Sequence, residues 1–135
     1  MQNNITEIVE YIDDILSEFG LDFDMSEDQE GTYLYNIIGD FNIDATIEVV
    51  SSEEITIYYN IRYNGKSIYT SRWSPHDNFT REENEDNLYS FISEFNDKLA
   101  SLKTAIGNIT SKIDDIRNIC NDNGLIYNDL ITIKM

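Results

Sequence analysis

"ITIYYNIRYNGKSIYTSRW", residues 55–73, decides how the chain folds. Asn64-Gly65 sits between two runs rich in β-branched and aromatic residues, the strongest short-range sign of a two-residue hairpin turn. A tight turn there pairs Tyr63 with Lys66 and Ile61 with Ile68. Continued outward, that register places Tyr58, Arg62, Tyr69 and Trp73 together on one face.

Upstream, "FNIDATIEV" (41–49) alternates without a break: Phe41, Ile43, Ala45, Ile47 and Val49 inward, Asn42, Asp44, Thr46 and Glu48 outward. "TYLYNII" precedes it through Gly39-Asp40, a turn-forming pair, and the polar "SSEE" leads on into residue 55. The register of that first hairpin stays open, and with it whether Tyr33, Tyr35 and Ile37 face core or solvent. Four antiparallel strands in meander order are expected before residue 74. Ahead of them, Ile5, Ile8, Ile12, Ile15, Leu16 and Phe19 form one apolar helical stripe. Asn4 with Glu7 fits a capping pair, and Gly20 stands where a left-handed C-terminal cap belongs.

Downstream, "SPHDNFTREENED" reads as a loop that ends in a second capping box, Thr80 with Glu83. Leu88, Ile92, Phe95, Leu99, Leu102, Ile106, Ile109, Ile113, Ile116 and Cys120 then follow in four-three spacing, ten a/d positions of a heptad repeat. Gly107 interrupts helix propensity but not this phase. An unbroken phase favours one long or kinked helix; ordinary helix lengths favour two helices with a break at Gly107, and the break is the reading adopted. Lys98 and Lys112 at g, with Lys103 and Arg117 at e, give the seam an all-basic flank that disfavours simple self-pairing. The seam is expected to be buried either within the chain, against its acidic half, or as a homodimer interface. "DLITIK" (129–134) offers a short fifth strand. The expected class is α+β over residues 1–135 as a single domain: an N-terminal helix, a four-stranded antiparallel meander, and two C-terminal helices or one long kinked one.

Composition narrows the function classes. The chain of 135 residues is 41% hydrophobic and carries a formal charge of −17. It has enough apolar content for a core, and acidity unsuited to binding nucleic acid or anionic membranes directly. Its one cysteine, Cys120, excludes an internal disulfide and reads as a small buried hydrophobe on the seam. "MQNNITEIVE" lacks the basic and apolar regions of a secretion signal, and no apolar run approaches membrane length, so a cytoplasmic protein is expected. His76 stands alone in a loop without a nucleophile to serve. Asp22, Asp24 and Ser26 alternate as in a calcium-binding loop, yet Glu27 and Tyr33 occupy the positions that need glycine and glutamate. No enzyme, metal or cofactor is expected.

Charge placement is the most informative feature. Residues 1–61 hold fifteen acids and no base, whereas residues 62–135 hold eleven acids and nine bases. Solubility asks for a net charge of only about 2–8 in a small domain, and concentrated like charge works against compactness. Glu7, Glu10, Asp14 and Glu18 share one helix face over roughly 16 Å, at about 1.5 Å per residue. That spacing approaches the about 3.4 Å between phosphates of a nucleic-acid strand. With Asp22, Asp24, Glu27, Asp28 and Glu30, they are the candidate partner-binding carboxylates. Tyr58, Tyr69 and Trp73, beside Arg62, form a candidate apolar contact patch.

In its order of helix, antiparallel strands and C-terminal helices, and in its acidity, the chain resembles the small phage-encoded anti-CRISPR proteins. The resemblance lies in architecture and charge over most of the chain, with no motif matched. It implies an inhibitor whose carboxylates compete with DNA for the basic cleft of a nucleic-acid-binding protein such as an RNA-guided nuclease, in the cytoplasm of the phage's host. The alternative is a toxin-neutralising immunity protein or a secretion chaperone that holds a protein effector on its sheet face.

Overall fold

The computed structural model describes residues 5–51 and 54–125. A 14-residue helix, α1 (Ile5–Glu18), opens the chain and buries Ile8, Val9, Ile12, Ile15 and Leu16. Gly20 closes it with a φ of +72°, a conformation that suits glycine. Around it the Gly20 amide donates to the Ser17 carbonyl and the Leu21 amide to the Leu16 carbonyl. This is a Schellman cap, which satisfies carbonyls that the helix end leaves open. The expected cap at Asn4 lies outside the described residues.

Five strands follow in meander order: β1 (Phe23–Glu27), β2 (Tyr33–Ile37), β3 (Ile43–Val50), β4 (Thr56–Tyr63) and β5 (Lys66–Trp73). Each pairs antiparallel with its chain neighbour, so β1 and β5 are the sheet edges. The last four strands are those expected from sequence. The added strand is β1, from the acidic stretch; the expected strand at 129–134 lies outside the described residues. Alternation sets the faces: Tyr35, Ile43, Ile47, Val49, Ile57, Tyr59 and Ile61 are buried on the helix-covered side.

Two local corrections follow from turn geometry. The β2–β3 turn centres on Phe41 and Asn42, both with positive φ, rather than on Gly39-Asp40. The Ile43 amide donates to the Asp40 carbonyl at 3.0 Å to close it. Phe41 therefore precedes the strand and is 50% exposed, where the alternation placed it in the core. In the second hairpin the Asn64-Gly65 turn is as expected and Tyr63 pairs with Lys66. An irregularity between Ile61 and Arg62 then shifts the register, so Ile61 faces Tyr69 instead of Ile68. A bulge of this kind moves every later side chain of the strand to the other face.

The C-terminal helical part is one helix, α2 (Arg81–Asp122), of 42 residues, and no break occurs at Gly107. Its start is the predicted capping box: the Thr80 hydroxyl accepts from the Glu83 amide, and the Glu83 carboxylate accepts from the Thr80 amide. Leu88, Ile92, Phe95, Leu99, Leu102 and Ile106 are buried; no residue of α2 beyond Ile106 is. Tyr59 of β4 meets the Phe91 and Phe95 rings at 5.1 and 5.3 Å, which seats α2 on the β4–β5 side. α1 covers the β1–β2 side, where the Tyr35 hydroxyl donates to the Val9 carbonyl and the Phe23 ring packs on Tyr35. Among the described residues, no helix is long and apolar enough to cross a membrane.

Candidate partner-binding surfaces

The meander order keeps the acidic first half of the chain together at one end, because each strand lies beside its predecessor. α1 and the edge strand β1 adjoin there, bridged by Tyr35. Glu10 and Asp14 stand on the solvent crest of α1, opposite its buried stripe. Asp22, Asp24, Glu27, Asp28 and Glu30 are all exposed. The candidate carboxylates do not, however, act as one surface. Glu7 is drawn sideways into an ion pair with Arg81 at 2.9 Å. Glu18 accepts from the Tyr89 hydroxyl at 3.2 Å. Asp28 turns back on its own hairpin, where Oδ1 accepts from the amides of Glu30 and Thr32 at 2.8 and 3.0 Å. It shapes the turn between β1 and β2. Glu27 falls on the helix-facing side of β1, opposite Tyr33. Burial, with the Glu27 charge and hydrogen bond added, pushes that phenol upward.

Glu10, Asp14, Asp22, Asp24 and Glu30 remain open, with no ion pair among the described residues. Among the described residues, three cations from the second half cross over to the first. Arg62 Nε donates to Asp44 at 2.6 Å, Arg81 holds Glu7, and Lys103 lies 3.6 Å from Asp40. These contacts sit on the open sheet face, at the α1–α2 seam and at the β2–β3 turn. None reaches the α1 crest or the β1 edge. Of the basic flank of the seam, Lys103 reaches the acidic half at Asp40, while Lys98 and Arg117 pair with Glu94 and Asp114 of α2 itself.

The aromatic trio is divided by the bulge. Tyr69 and Trp73 face the helices and pack against the core, with the Lys98 ammonium 5.0 Å above the Tyr69 ring. Tyr58 alone faces outward, 42% exposed. It borders a concavity of about 510 Å³ with Thr46, Glu48, Asn60, Arg62, Thr70 and Arg72. Register stacks these side chains in rows across three strands: Thr46, Asn60 and Thr70 in one, Glu48, Tyr58 and Arg72 in the next. Asn60 Oδ1 is buried on the floor without a hydrogen-bond partner. Arg72 and Asn60 were missed at the sequence level. The outward alternation of β4 marks Asn60, but the unforeseen bulge hides Arg72.

His76 and Asn84 explain each other. The His76 amide donates to Asn84 Oδ1 at 2.8 Å, and Asn84 Nδ2 returns a bond to the His76 carbonyl at 3.2 Å. The imidazole packs on Phe79 at 4.7 Å. His76 is a loop anchor. The would-be calcium loop is strand and turn, and no cluster of three or more His, Cys, Asp or Glu side chains is placed to hold a metal among the described residues. Comparison with family models, curated proteins and solved structures finds no match to this chain.

Proposed function

We propose that the protein binds a cationic, phosphate-gripping cleft on another protein and blocks it, with the α1 crest and β1 edge as the contact surface. The observation that carries this reading is the placement of Glu10, Asp14, Asp22, Asp24 and Glu30. They sit exposed on α1 and on and around β1, while every cation that crosses into the acidic half among the described residues is spent elsewhere. Like charge gathered without counterions costs stability and is retained to no structural end. A surface of this kind offers a cleft built for nucleic acid the charge spacing it already recognises. The likeness to anti-CRISPR proteins narrows the partner to an RNA-guided nuclease.

The decisive variant combines Glu10→Gln, Asp14→Asn, Asp24→Asn and Glu30→Gln, sparing the carboxylates with structural partners. Binding to a guide-loaded RNA-guided nuclease is measured at low and high salt, with and without target DNA duplex. The wild type is expected to compete with the duplex and to weaken steeply with salt; the variant is expected to lose several kcal/mol of binding where these groups meet desolvated arginine or lysine. Equal affinity and equal salt dependence for both proteins sink the reading.

A second reading rests on the concavity around Tyr58. An immunity protein or chaperone of the alternative class would hold its effector there, through an aromatic ring and polar groups in charge balance (Glu48 with Arg72, Asp44 with Arg62). Tyr58→Ala with Arg72→Ala would then abolish effector binding while the four acidic substitutions left it intact, and salt would matter little.

A further inference from the structure

We propose that α2 closes an antiparallel dimer through its last two heptads, with a second copy of this chain as the occupant of the apolar stripe beyond Ile106. The seam that packs on the sheet from Leu88 to Ile106 continues in the same phase through Ile109, Ile113, Ile116 and Cys120, but there the sheet has ended. Lys103 on Asp40 and Gly107 beside the Phe41 ring mark its rim. The remaining 15 residues to Asp122 extend about 22 Å at 1.5 Å per residue. Ile109, Ile116 and Ile119 are 40%, 46% and 60% exposed on that extension. Two heptads of uncovered a/d positions are a coiled-coil half-site.

Charge decides the direction of pairing. In a parallel pair, g of one helix meets e of the next heptad in its partner, which sets Lys112 against Arg117 twice. Like charges at both flanks argue against that arrangement. In an antiparallel pair, a layers against d, g against g and e against e. One register then fills every position: Ile113 against Ile116, and Ile109 against Cys120, each occurring twice about a two-fold axis. In that register Lys112 lies beside Ile119 and Arg117 beside Thr110. No like charges meet. The Lys112 methylene stem also covers Ile119, the most exposed isoleucine of α2 and one that no a/d position accounts for. The interface is separate from the α1 crest and the β1 edge, so it stands or falls independently of the proposed function.

Sedimentation of the full chain and mild oxidation of cysteine variants test both the dimer and its direction. Expected is a species of twice the 15.7 kDa chain mass. Ile113→Lys should weaken it at least about 100-fold by placing a charge in a dry layer, without moving the thermal midpoint of the monomer. Ile109→Cys should form a covalent dimer through Cys120 of the second copy, since facing a and d residues come within disulfide reach. The wild type should form none, because its two Cys120 thiols lie at opposite ends of the paired segment. A wild-type dimer cross-linked through Cys120 would mean parallel pairing and overturn the proposal. So would a full chain that stays monomeric at every concentration. Dimerisation that appears only once residues 126–135 are deleted would overturn it too, with that segment as the occupant.

Discussion

Tyr35 ties α1 to the sheet, and its hydroxyl has a single proton to give. That proton goes to the Val9 carbonyl at 3.1 Å, while one oxygen of Asp13 stays buried without a hydrogen-bond partner. Burial first, and then the Asp13 carboxylate alongside, push the Tyr35 phenol far above its ordinary value of 10.0. An unfolded chain ionises this tyrosine near its ordinary pKa, whereas the folded chain keeps it protonated well beyond. The stability it contributes is therefore whole below about pH 10 and is lost as pH rises above that, at up to about 1.4 kcal/mol per pH unit. Denaturant titration from neutral to alkaline pH should show this fall, and Tyr35→Phe should make it less steep, the other raised tyrosines keeping a part of it. An unchanged slope in that variant would place the alkaline sensitivity elsewhere. Gly39 is the second residue with no freedom. A Cβ there would overlap the Ile43 carbonyl oxygen, part of a rigid turn rather than a movable side chain. Gly39→Ala should destabilise by about 1–3 kcal/mol in urea unfolding, whereas Gly107→Ala should do the opposite.

The elements differ in how plainly the sequence announces them. β3 and β4 were legible because one face of each is buried and the other wet, which writes period two into the residues. β1 was not: of "FDMSE" only Phe23 is half-buried, so an edge strand held by backbone pairing reads as an acidic loop. The bulge in β5 was hidden because Ile68 and Tyr69 are both apolar and either satisfies the alternation. The same slip split the aromatic trio and left Arg72 unseen. In α2 the heptad phase was the right guide and typical helix length the wrong one. A helix longer than its sheet can hold its phase while only its first half is buried. Gly107 within it costs propensity and gains no space: an added Cβ would sit 3.5 Å from the Phe41 ring, an ordinary contact. Gly107→Ala should therefore stabilise by about 1 kcal/mol, measured as a rise in urea midpoint. Burial separates the two halves of the stripe as well. Ile12→Ala, at a fully buried site, should cost about 2–5 kcal/mol. Ile116→Ala should cost well under 1 kcal/mol at concentrations where the chain is monomeric.

At the scale of the molecule, a charge of −17 is divided unequally, and the division outlasts folding. Among the described residues, three cations cross to the acidic half, and each bridges at its border through groups that stay partly exposed. Exposed pairs of this kind are worth roughly 0–1 kcal/mol each, so they offset little of the repulsion among the remaining carboxylates. Glu10 and Asp14, one helical turn apart on the same crest, add a like-charge pair that costs a few tenths of a kcal/mol by itself. Raising salt from 0.01 to 1 M shortens the screening length from about 30 to about 3 Å, which removes long-range repulsion before it touches contacts at hydrogen-bond distance. Stability should accordingly rise with sodium chloride. A fall in urea midpoint over that range would mean that the bridges outweigh the repulsion. The variant neutralised at Glu10, Asp14, Asp24 and Glu30 should be more stable at low salt, by up to about 1 kcal/mol, and gain less from added salt. That variant is also the one expected to lose its partner. A surface that weakens its own fold, and whose removal strengthens the fold while abolishing binding, is explained by what it meets in the complex; a variant with unchanged stability and unchanged binding would reduce the acidic end to a solvated face.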